Sequence, residues 1–239
     1  MNVDRTPKET DNTRSVAETN AGEHAHVVGS RALAAWEISS VTLSFLLVAW
    51  TVRPLADNSK LLGALPLALA VLLMLISHRA HGESARTVGW RLDNFYAAAR
   101  LLVLPVAAVC GLIFLAGRLY GHANSEKVQQ FQWVLWLPAW ALVQQYALQG
   151  FINRRAQVLW GRGWQSVLLV ASIFALLHLP NPWLTLITFA GGLLLAHVYQ
   201  RVPNLVALAI AHSLISLMLV WTLPAALLKS LRIGFKYFG

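Results

Sequence analysis

Three groups of residues that could carry chemistry sit inside otherwise apolar stretches of the chain: Gln144 and Gln145 with Gln149 and Asn153, His178 one turn after Phe174, and His212 with Ser216. Gln145, Gln149 and Asn153 are four residues apart, so helical winding puts them on one face. Gln144 lies about 100° round from Gln145 on the same turn. Phe174 and His178 share a face by the same spacing, as do His212 and Ser216. An amide without a partner in hydrocarbon costs several kcal/mol. Intramembrane ionisable side chains are functional candidates by default. Imidazole is a competent general base near its own pKa. An amide donates and accepts hydrogen bonds but takes no proton near neutral pH.

Plainer roles stand beside these. The glutamines could be glue between helices, and each histidine a core residue bonded to a carbonyl. For His197, which no spacing claims, the plain role leads. Ser216 with His212 as base lacks the third, orienting acid of a nucleophilic triad.

The carboxylates are distributed unevenly. After Glu126 the chain contains no Asp or Glu. Glu37 is the one carboxylate inside a predicted span, near its start, where snorkelling to the interface is expected. A divalent ion held by His178 and His212 would lack the carboxylate of the usual two-histidine hydrolytic site, so no metal or other cofactor is expected. Cys110 is the single cysteine and excludes a disulfide framework.

These residues must be positioned by helices in a bilayer. The chain of 239 residues is 57% hydrophobic and 12% charged, which excludes an ordinary soluble domain. Its fold class is all-α, a polytopic transmembrane helical bundle. Spans are expected at 32–52, 61–77, 97–117, 131–151, 164–179, 183–199 and 204–228, with an eighth if the last one breaks near Pro224. Residues 1–31 form a polar tail that reads as disordered, 32–228 the transmembrane domain, and 229–239 a basic tail lying on the membrane surface. No signal-peptide pattern precedes the first span. Lys and Arg concentrate in the loops that face inside if the N-terminus is cytoplasmic. That explains the net charge of +9 without nucleic acid as a partner. Membrane lipids are the expected surroundings.

The order of these motifs resembles the CPBP family of intramembrane proteases, which includes the type II CAAX prenyl proteases and proteins like lysostaphin resistance protein A. That family carries Glu-Glu-x-x-x-Arg, then Phe-x-x-x-His, then His-x-x-x-Asn or Asp. The first aligns with Gln144-Gln145-Tyr-Ala-Leu-Gln149, the second with Phe174-Ala-Leu-Leu-His178, and the third with His212-Ser-Leu-Ile-Ser216. The resemblance covers about 85–220. It implies a helical bundle with His178, His212, Gln144 and Gln145 at catalytic positions, and Gln149, Phe174 and Ser216 around a substrate cavity. Both glutamates that would activate water are glutamines here. The expected function is a family member with degenerate or absent glutamate-dependent proteolysis. It would retain a cavity for a membrane-embedded peptide or protein, in a bacterial-type plasma membrane. The alternatives are an active endopeptidase with a variant Gln/His site and a small-molecule or ion carrier. The carrier ranks last because no internal symmetry is visible.

Overall fold

A computed structural model describes residues 30–52, 60–120 and 127–238. The predicted 1–31 tail falls almost wholly outside them. Among the described residues all regular structure is helical. Helix α1 is Ser30–Val52, with a π-wound last turn at Val48–Val52. It is followed by α2 (Lys60–Ala80), the short α3 (Ala85–Val88) and α4 (Phe95–Tyr120). Helix α5 (Lys127–Gln145) passes into a π-helical stretch, Tyr146–Asn153, and then α6 (Arg154–Trp160). The remaining helices are α7 (Trp164–Leu176), α8 (Pro182–Arg201), α9 (Leu205–Thr222) and α10 (Ala225–Leu228).

Among the described residues four helices are long and apolar enough to span a bilayer: Ser30–Val52, Phe95–Leu119, Pro182–Arg201 and Leu205–Thr222. Two shorter apolar helices, Ala64–Ala80 and Trp164–Leu176, accompany them. The protein is therefore an integral membrane helical bundle. Beyond Pro224 the described residues form α10 and two 3-10 turns, Lys229–Leu231 and Gly234–Tyr237.

Apolar residues form two cores. One joins α4, α8 and α9 through Ala98, Leu102, Leu195, Leu208 and Ile215. The other joins α1, α2, the π stretch and α7 through Val41, Met74, Phe151 and Val170. Small residues bring the helices close. A Cβ on Gly192 of α8 would sit 2.8 Å from Ala171 Cα of α7, so these two helices meet backbone to side.

Polar residues fix the ends. Asn204 Oδ1 accepts from Ala207 N and caps α9, while its Nδ2 donates to Arg91 O and Asn94 Oδ1. Tyr199 OH donates to Val88 O at 2.7 Å and ties α8 to α3. Asn181 Oδ1 caps α8 at Leu184 N, with Pro182 at the first helical position.

Candidate functional site

The site begins where α5 changes its winding. Gln145 is the last α-wound residue, and its side chain is completely buried. Its Nε2 lies 3.0 Å from His212 Nδ1 on α9. From Tyr146 the helix closes i→i+5 rings, so residues four apart no longer stack as in an α-helix. Gly150 lies within this stretch, and an added Cβ there would come within 2.9 Å of Val88 Cγ1.

Gln149 and Asn153 consequently lead elsewhere. Asn153 Nδ2 donates to Gln149 Oε1 at 2.8 Å, and Asn153 Oδ1 accepts from Gln157 and Gln200. Gln200 continues to Ser166 Oγ. The single polar face expected for Gln145, Gln149 and Asn153 is thus divided. Gln145 turns toward His212, and the other two enter a buried amide network between the π stretch, α7 and α8. Gln149, expected to face the cavity, does not line it.

A cavity of about 460 Å³ lies between α5, α7, α8 and α9. Gln144, Phe174, His178, His212 and Ser216 all line it. The Phe174 ring holds both imidazoles, meeting His178 edge-on at 4.9 Å and His212 at 5.6 Å between centroids. His178 Nδ1 donates to Phe174 O at 2.7 Å. A carbonyl can only accept, so this bond fixes the proton on Nδ1 and leaves a lone pair on Nε2. The Gln145 amide N–H on His212 Nδ1 fixes the opposite tautomer there, with its proton on Nε2. The cavity thus carries one imidazole acceptor and one imidazole donor. A second, apolar hollow of about 110 Å³ adjoins it and shares Trp140, Gln144, Phe174 and His178. His197 is not in the cavity lining; it stacks on Trp164 at 5.5 Å.

Among the described residues no carboxylate lines either hollow. Glu37 does not snorkel: it is buried and ion-paired with Arg155, whose Nε stands 2.7 Å from Glu37 Oε2 without its N–H aligned on that oxygen. Ser77 Oγ donates to Glu37 Oε1 at 2.5 Å. The reason is a partner that sequence reasoning missed. Arg155 is 1% exposed and bridges Glu37 to Glu83. Glu83 also accepts from Arg154 and His78. Burial alone would raise the Glu83 carboxyl, but the hydrogen bonds from His78, Arg155 and Arg154 outweigh it and hold it well below the usual carboxylate range. The available signal was Glu83 itself, a lone acid in the loop before the basic Arg86–Arg91 stretch.

Two imidazoles and neutral amides do not match the two-histidine-plus-carboxylate set of a hydrolytic metal site. Among the described residues no three His, Cys, Asp or Glu side chains gather where they could hold a metal. What the arrangement offers is a neutral, partly polar cavity able to accept a proton at His178 and to donate one hydrogen bond from His212. Residues 126–218 match the family model described as type II CAAX prenyl endopeptidase Rce1-like. No curated protein and no solved structure gives a significant match.

Proposed function

We propose that the chain, whose residues 126–218 match the type II CAAX prenyl endopeptidase Rce1-like model, is a member of the CAAX-protease family in which glutamate-dependent hydrolysis has been lost and peptide binding kept. The observation that carries this is the Gln145 amide held behind His212, which lines a cavity where no carboxylate is found among the described residues. A water there meets two imidazoles and neutral amides. A glutamate at position 145 would take the water's proton, whereas glutamine cannot. A missing general base costs roughly 10²–10⁴ in rate. Gln144, Phe174 and Ser216 then serve to hold a membrane-embedded peptide rather than to cleave it. The bundle has seven spans in this reading, the N-terminus cytoplasmic, in a bacterial-type plasma membrane, with lipids and a membrane peptide or protein as partners.

One observation favours a second reading. The free lone pair on His178 Nε2 is a base within the cavity, so a slow endopeptidase would use His178 as base and the His212 N–H to hold the carbonyl oxygen. A cleavage assay on the purified protein in liposomes separates the two, with a prenylated C-terminal peptide as substrate. The wild type is expected to bind the peptide without turnover, and Gln144→Glu with Gln145→Glu to gain cleavage. Wild-type cleavage that disappears in His178→Ala would overturn the non-catalytic reading.

A further inference from the structure

Part of the cavity wall is supplied by the C-terminal stretch of the chain. After α10, residues 229–238 turn back over the site, and Leu231 and Ile233 join the cavity lining. Ile233 also lines the smaller apolar hollow, so it stands in the wall between the two, beside His178. The backbone is extended at Arg232 and Ile233.

The connection between α7 and α8 grips this extended piece along one edge. Asn181 Nδ2 donates to Arg232 O at 3.2 Å, and Gly234 N donates to Leu179 O at 2.8 Å. In an extended chain, the carbonyl of one residue and the N–H of the second residue on point the same way. A donor and an acceptor spaced like this are what an edge strand offers to an added peptide. Here Leu179 and Asn181 supply them at the end of the segment that carries His178. The same Asn181 amide also donates to Leu228 O. Gly234 seals the far side. It has φ +58°, and a Cβ there would lie 2.5 Å from Ala49 O at the π-wound end of α1.

We infer that Leu179 and Asn181 form a subsite for an extended peptide that projects an aliphatic side chain between the two hollows, and that Arg232–Gly234 of the chain itself occupies it as a displaceable strap. A membrane peptide would bind in competition with this segment. The inference rests on the cavity being the binding site, and it holds with or without hydrolysis.

The test reads opening directly. In the full chain in liposomes, Cys110→Ala removes the native thiol and Ser216→Cys places one in the cavity lining. The rate of labelling by N-ethylmaleimide is then compared between straps. Gly234→Val leaves every cavity-lining residue intact but cannot keep the left-handed backbone against Ala49. It is expected to label about tenfold faster, as follows from losing one or two net hydrogen bonds. A synthetic peptide of the sequence Leu-Arg-Ile-Gly-Phe-Lys-Tyr should slow it again. Ile233→Ala keeps both the Asn181 amide bond to Arg232 O and the Gly234 N bond to Leu179 O and opens the wall, and is expected to label faster by a smaller factor. It decides the matter if Gly234→Val does not fold. Equal rates across the folded variants, or no protection by the peptide, would overturn the strap. The cleavage assay above, by contrast, reads only the hydrolytic question.

Discussion

Replacing Arg155 by Met should be among the most damaging single substitutions outside the cavity. Arg155 is 1% exposed and contacts Glu37 at 2.7 Å, Glu83 at 3.0 and 3.1 Å, and Ser77 Oγ at 2.8 Å, with its guanidinium 5.0 Å over the Phe151 ring. Met fills much of the volume, so the packing loss is small. Glu83 keeps Arg154 and His78. Glu37 keeps only the Ser77 hydroxyl, and it is the carboxylate left buried without a counter-charge. Breaking a buried pair in this way costs about 3–5 kcal/mol. On a chain of this length that is roughly 6–20 °C in Tm. The assay is thermal unfolding in detergent, run as a double-mutant cycle with Glu37→Gln. The second substitution should recover part of the loss, because it removes the orphaned charge, giving a coupling of about 1–3 kcal/mol. A loss below about 1 kcal/mol for Arg155→Met, or strict additivity with Glu37→Gln, would refute the claim that these two ions depend on one another.

Two further outcomes are expected. The Glu83 carboxyl is held well below its ordinary value of 4.5. Its stabilisation is therefore complete above that value, declines as the pH falls below it, and is gone once the pH has fallen through the lowered one. Unfolding curves between pH 7 and pH 5 should show no loss that Glu83→Gln removes, whereas below pH 4 the wild type should lose its advantage over Glu83→Gln. Gly192→Val should destabilise by about 1–3 kcal/mol or more, because the added atoms meet Ala171 of α7; retention of the wild-type Tm would count against the close α7–α8 packing.

The sequence is informative where local winding decides position. His212 and Ser216 keep their four-residue spacing within α9, and Phe174 and His178 keep theirs although α7 ends at Leu176 and His178 stands on the turn beyond it, so all four face one cavity. Gln149 fails for the opposite reason. It follows a change to i→i+5 winding that no propensity marks, so α-helical arithmetic carries it to the wrong side. Glu37 was misjudged because its partner lies on α6, far along the chain, and a snorkelling carboxylate and a buried one look alike until that partner is known. The strap was invisible as well. A basic, aromatic tail reads as interfacial, and only the Asn181 and Leu179 bonds reveal that part of it faces inward.

The π-wound stretch also works as a gear. Everything after Asn153 inherits its extra winding, including the arginines that hold Glu37 and Glu83. Cutting one residue from Tyr146–Asn153 would rotate α6 by about a quarter turn relative to Gln145. The Gln145–His212 bond would stay engaged while both arginines swung off their acids. The amide end and the charged end of this one rod are therefore phased together, and a lineage could re-time one against the other by a single codon deletion without altering any residue in the cavity.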